Sequence, residues 1–224
     1  KMKQTADQKV LSFSVDVSDK QALGACVELI KESVAIPDLL ILSAGIVQSV
    51  RFMEQTDDEF EDIIQTNVIG SRSVAKAFLP EMIKQGKGQL CFVSSLGGII
   101  STYGYSAYSA SKFAVLGMAG ALRQELHEHG VGVSVLCPPE VDTPMVHAES
   151  EHILPQTRFI KDIGGTLNVE TVTRATVKGV AKNRFVIVPG VMAKLSYAQS
   201  RFMPRIFGWA MQQLVGLSTK FVKA

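Results

Sequence analysis

QLCFVSSLGGIISTYGYSAYSASK, residues 89–112, sets two patterns side by side: a short apolar run ending in two serines, and a tyrosine and a lysine four residues apart. The run from Gln89 to Ser95 is continuous rather than alternating, which suits a parallel strand covered on both faces. Tyr108 and Lys112 open an expected helix, so their side chains share one face about 5–6 Å apart at Cβ. From Ser106 to His129, Val115, Met118, Leu122 and Leu126 form an apolar stripe at helical spacing. Arg123, Glu125 and Glu128 face elsewhere, and Gly130 ends the helix. A free phenol has a pKa of about 10, and an adjacent ammonium favours the phenolate, which brings proton exchange toward neutral pH. Alone, Tyr-x-x-x-Lys also fits an ordinary solvated helix face; the strand ending at Ser95 gives it context.

Similar runs recur outward from this stretch: KVLSFSV from Lys9, LLILSA from Leu39, VGVSVLC from Val131 and RFVIVP from Arg184. Between them, Ser18 with Gln21 and Thr56 with Glu59 have capping-box spacing and mark expected helix starts. Repeated strand–helix–strand units predict an α/β fold, a doubly wound parallel sheet of the Rossmann-like kind. Ligands in such sheets lie outside the carboxyl ends of the strands. Those ends are Asp16, Ser43-Ala44-Gly45, Ser94-Ser95 and Pro138-Pro139.

The 224 residues are 46% hydrophobic and 20% charged, as for one globular domain with a sizeable core. A net charge of +2 without a long basic run points to a small-molecule partner rather than nucleic acid. Cys26, Cys91 and Cys137 lie far apart with no CxxC pair, as small core residues in a reducing compartment do. The first residues lack the apolar segment of a signal peptide, and no run of roughly 18 apolar residues marks a membrane span. Cytoplasmic location is the default expectation, with a reservation about the C-terminus.

Ser95 stands 13 residues before Tyr108, Asn67 lies in QTNVIG, and Asp16-Val17 follows the first run. With these motifs in this order, the chain through about Pro189 resembles the short-chain dehydrogenase/reductase family. The resemblance implies that Tyr108 protonates a substrate carbonyl while Lys112 lowers its pKa and holds the nicotinamide ribose. It implies further that Ser95 polarises the carbonyl, that Asn67 holds a water linking Lys112 to solvent, and that Asp16 with Val17 contacts the adenine. On the same resemblance, Ser43, Ala44 and Gly45 are expected to line the adenosine side, and Pro138, Val141 and Thr143 to lie beside the nicotinamide. Two assignments have rivals: Ser94 in place of Ser95, and a purely structural, helix-interrupting Asn67. The sequence departs from the family pattern at Ser43, which replaces an asparagine, and at Pro139, which replaces a glycine and stiffens its loop. No glycine-rich phosphate turn precedes Asp16, so an N-terminally incomplete domain lacking the first strand, glycine turn and second strand is expected over residues 1–190. A substrate lid, a loop containing Pro144, Pro155, Gly164 and Gly165, is expected over about 143–166 and a helical tail over 191–224.

Within the family, CPPEVDTPMVHAESEHILPQTRFI and VSSLGGIISTYGYSAYSASKFAVLGMAGAL resemble the 3-ketodihydrosphingosine reductases. This implies reduction of a ketone on a long-chain sphingoid base, with NADP(H) favoured over NAD(H). Reductases of steroid, acyl and short ketones share much of the second stretch, and a noncatalytic scaffold is a further reading. The intact acid–base pair argues against a scaffold. Lid residues Met145, Val146, Ile153, Leu154, Phe159 and Ile160 suit an acyl chain. His147 and His152 are expected as polar lid residues, and no metal site is expected. In the tail, Ile206, Phe207, Ala210, Leu214 and Leu217 form an expected stripe flanked by Trp209, Arg201 and Arg205. That helix can lie in a membrane interface or pack on the domain or a second subunit. The family resemblance also implies a homo-oligomer formed through helices that include Ser106–His129.

Overall fold

Four apolar runs become parallel strands because helices close over both of their faces. The computed structural model describes residues 8–223, with side chains described to Lys220. Strands β1 (Leu39–Leu42), β2 (Gly88–Val93), β3 (Val131–Leu136) and β6 (Val186–Ile187) form one parallel sheet in the order β1-β2-β3-β6. Leu90 pairs with Val133 and Phe92 with Val135. Helices α1 (Lys20–Ser33), α3 (Ser71–Gln85) and α4 (Ser106–Glu125) bury one face. There Leu90, Phe92, Val133 and Val135 meet Ala75, Phe78, Met82, Val115 and Ala119. Cys91 and Leu136 point the other way and pack with Val172 of α7 (Val169–Ala181) and Ile187. The doubly wound architecture is therefore as expected.

Local chemistry sets the helix boundaries. Thr56 caps α2 (Asp57–Ile64) in the expected reciprocal box with Glu59. At α1 the cap is Asp19, not Ser18: the Asp19 carboxylate accepts from the Gln21 and Ala22 amides, while the Ser18 hydroxyl is turned back to Asp16. Helix α4 ends at Glu125, a single 3₁₀ turn spans His127–His129, and Gly130 takes φ 68° to reverse the chain.

Three expectations are corrected. Residues 9–15 form no strand; they are largely exposed, and no described strand offers them a ladder partner, without which extended backbone is not sheet. Residues 143–166, read as a loop, contain α5 (Pro144–Ser150) and α6 (Pro155–Gly164), followed by β5 (Thr166–Leu167), which pairs with β4 (Glu140–Val141). Pro144 and Pro155 are first-turn residues, where a missing amide hydrogen costs nothing. The tail forms α8 (Val191–Phe202) and α9 (Pro204–Lys223). Its packed face runs through Phe207, Ala210, Leu214 and Ser218, leaving Ile206 at 63% and Leu217 at 47% exposure on the open side beside Trp209. Ser218 closes the packed row one turn beyond Leu214, and that register turns Ile206 and Leu217 away. Ala193 joins the main core, and α9 lies against α6.

Candidate active site

At the carboxyl end of β2 two serines part company. Ser94 is buried, and its hydroxyl donates to the Lys112 carbonyl at 2.8 Å, fastening α4 to the sheet. Ser95, in extended conformation, turns the other way and accepts the Gly97 amide at 3.0 Å. That bond caps a 3₁₀ turn, Leu96–Gly98. A Cβ on Gly97 would lie 3.4 Å from Ser95 Oγ and 3.5 Å from a Tyr108 ring carbon, so the turn threads between these two side chains.

Tyr108 and Lys112 stand on the first turns of α4, with Lys112 Nζ 5.6 Å from the Tyr108 ring centroid. Lys112 is 5% exposed and donates to the Val93 carbonyl at 3.1 Å. Burial governs both groups. It raises the Tyr108 phenol, partly offset by a hydrogen bond with Ser95 and reinforced by the Glu149 carboxylate, to about 12. It lowers Lys112 to about 8. The expected lowering of Tyr108 by Lys112 is not found in this structure: desolvation raises the phenol, and the group that offsets it is Ser95.

Asn67 sits in a π-helical segment, Gln65–Gly70, between α2 and α3. Such a bulge widens the turn and redirects one side chain. The Asn67 amide accepts from the Ile46 amide at 2.8 Å and donates to the Ile46 carbonyl at 3.0 Å and to Ser111 Oγ at 2.9 Å. It pins the loop after β1 to α4. A Cβ on Gly45 would meet Asn67 Oδ1 at 3.0 Å and Lys112 Nζ at 3.3 Å, which explains a glycine there.

The remaining candidates form two groups. Ser43 and Ala44 are exposed at the end of β1, and Asp16 is exposed too, its carboxylate accepting from the Ser18 amide and hydroxyl. Those bonds lower its pKa. The Val17 side chain lies over Gly70, where a Cβ would meet it at 2.7 Å. After β3, Pro138 is buried and accepts the Leu96 amide at 2.7 Å, Val141 is held in β4, and Thr143 precedes α5. His147 pairs with Asp142 at 2.6 Å on the exposed side. Among the described residues, no group of His, Cys, Asp or Glu is arranged to hold a metal ion.

Sequence reasoning missed a charged cluster joining β4, α5, α6 and β5. Glu140 accepts from both terminal guanidinium nitrogens of Arg158 at 3.0 Å, from Lys161 Nζ at 2.7 Å and from Thr166 Oγ1 at 2.6 Å. Lys161 also pairs with Glu149 at 2.6 Å and donates to Tyr105 Oη at 3.1 Å, while Tyr105 Oη donates to Glu149. The Tyr105 ring lies 5.1 Å from that of Tyr108. Thr143-Pro144 and Leu154-Pro155, readable as helix starts, were the signals available for the two helices that assemble this cluster.

Comparison with solved structures places the fold. The chain is similar to a short-chain dehydrogenase from Streptomyces avermitilis (TM-score 0.76, 24% identity, 90% of this chain and 78% of that one). It is also similar to one from Burkholderia cenocepacia J2315 in complex with NADP (TM-score 0.74, 21% identity, 88% and 76%). The family model described as short chain dehydrogenase matches residues 1–154, and the chain belongs to that family. Among curated relatives, it is 34% identical to the 3-dehydrosphinganine reductase of Danio rerio and to the 3-ketodihydrosphingosine reductase of Mus musculus, each over 179 residues. Estradiol 17-beta-dehydrogenase 11 of Rattus norvegicus is 30% identical over 201 residues, 88% of this chain and 64% of the relative. The chain spans about half the length of the first two, with matches covering 80% of this chain and 54% of each.

Proposed function

We propose that this protein is an NAD(P)H-dependent oxidoreductase that reduces a ketone to a secondary alcohol, with a long-chain sphingoid ketone such as 3-ketodihydrosphingosine as substrate. The observation that carries the reading is the convergence of Ser95, Tyr108 and Lys112 at the carboxyl end of β2. Tyr108, protonated up to about pH 12, donates its proton to the carbonyl oxygen, and Ser95 holds that oxygen by a second hydrogen bond.

The residues present fit a nicotinamide cofactor. Lys112 donates one hydrogen bond to Val93 and has further donors at a nearly closed position, suited to ribose hydroxyls. The cofactor supplies the hydride. Asp16, Val17, Ser43, Ala44 and Gly45 would hold its adenosine side, and Pro138, Val141 and Thr143 its nicotinamide side. Asn67 and Lys112 flank Gly45 closely enough for a water to join them as a proton path to solvent. NADP(H) is proposed over NAD(H) on the likeness to the sphingoid reductases; the NADP in the Burkholderia structure supports it.

The substrate class draws on the same relatives and on the tail. Phe202, Met203, Ile206 and Trp209 are exposed near Arg201 and Arg205, an arrangement suited to peripheral contact with a lipid surface. No helix among the described residues is long and apolar enough to cross a membrane. The outer side of α4, with Phe113, Ala114, Gly117 and Ala121 exposed, suits pairing with a second copy of the chain. NADPH oxidation by the full-length protein tests the reading. It predicts turnover of 3-ketodihydrosphingosine well above that of a 17-ketosteroid, and preference for the steroid would move the substrate to the other class.

A further inference from the structure

The charged cluster of β4, α5, α6 and β5 has a cost that packing alone does not require. Glu149 and Glu140 have side chains only 4% exposed, and Lys161 is 14% exposed. Buried charges of this kind persist where they are fully paired, and here the pairing crosses element boundaries. Glu149 comes from α5, Lys161 and Arg158 from α6, Glu140 from β4 and Thr166 from β5. Tyr105 is the residue just before α4, one helical turn ahead of Tyr108. Its hydroxyl donates to Glu149 while its ring lies against the Tyr108 ring at 57°.

We propose that Glu149 is a positioning residue for the reaction: from the lid it holds Tyr105 against the Tyr108 ring, with Lys161 as counter-ion, so that seating the lid and setting the phenol are one event. The proposal rests on Tyr108 as the proton donor. One further network ties α6 and its cap to the segment before α4 and to the loop after β1: Thr157 donates to the Tyr103 carbonyl at 2.8 Å, Ser49 Oγ donates to Thr157 Oγ1 at 3.0 Å, and the Leu154 amide donates to Ser49 at 3.2 Å. The Glu149 carboxylate further biases Tyr108 toward its neutral form. The groups facing this pair are Tyr105 and Lys112 from α4 and its cap, Ser95 from the turn after β2, Lys161 and Arg158 from α6, and Glu140 from β4. The Asp142–His147 pair lies on the outer side of α5.

Glu149→Gln keeps an acceptor for Tyr105 and removes the charge. In the full-length protein, the basic limb of kcat/KM for ketone reduction should fall by about one pH unit. Glu149→Ala should lower kcat about 10- to 100-fold while leaving the KM for NADPH unchanged. Tyr105→Phe, which removes one hydroxyl and keeps the ring, should reproduce much of that loss and add little to it in the double variant. An unmoved basic limb in Glu149→Gln, or additive losses in the double variant, would overturn the proposal and leave Glu149 a purely structural residue. Tyr108→Phe reads the underlying assumption separately: retained turnover there removes the proton donor itself.

Discussion

Single atoms decide whether the site can exist. At Gly98 an added Cβ would lie 2.3 Å from Ser94 Oγ and 2.6 Å from the Lys112 carbonyl oxygen, and the second contact is with backbone that has no room to move. Gly98→Ala should therefore cost about 3 kcal/mol or more, read as a drop in the midpoint of chemical denaturation, and a loss below 0.5 kcal/mol would contradict the geometry. Asn67 is the other such point. Asn67→Ala leaves the Ile46 amide and carbonyl without their partner, and it should cost about 2–3 kcal/mol with activity falling further than stability. A variant with native stability would show that Asn67 does not hold the loop. The pairing of Tyr108 with Lys112 and the 13-residue spacing to Ser95 were legible because both are local patterns. The titration of Tyr108 was not: burial depends on what packs over the ring, and no local spacing reports it.

At the scale of elements, α5 and α6 are held to β4 by charge. Burial alone would raise Glu140, but hydrogen bonds from Arg158, Lys161 and Thr166 bring it down to about 2. A carboxyl held below its unfolded value contributes stability that is fully present above about pH 4.5 and is lost as pH falls toward about 2. The stability difference between the native protein and Glu140→Gln should be about 3 kcal/mol at pH 7 and should shrink below pH 4.5. A difference that stays constant from pH 7 to pH 3 would contradict this pairing. The cluster was hidden in the sequence because its members meet only once α5, α6 and β4 are folded together. By contrast the Thr56–Glu59 cap is complete within four residues and was readable. Residues 9–15 illustrate the same limit: an apolar run specifies a strand only in company, and here no described strand pairs with it.

For the whole molecule, the order β1-β2-β3-β6 brings the ends of β1, β2 and β3 to one edge, where Gly45 lies against Asn67 and Lys112, and Gly97 against Ser95 and Tyr108. That edge followed from the alternation of apolar runs and helical segments, whereas the packing of α9 on α6 did not, because both faces of α9 carry large apolar residues. The open face makes its own prediction. Trp209 is 64% exposed, so its fluorescence should shift to the blue on vesicles of anionic phospholipid, and Trp209→Ser with Ile206→Ser should weaken binding without changing fold. Identical binding by that variant would remove α9 as the lipid contact. The central claim is proton donation by Tyr108, and its most direct test is NADPH oxidation by the full-length protein beside its Tyr108→Phe variant, with 3-ketodihydrosphingosine as substrate. The account predicts a loss of about 10²- to 10⁴-fold in kcat with NADPH binding retained; turnover within a few-fold of the native rate would contradict it.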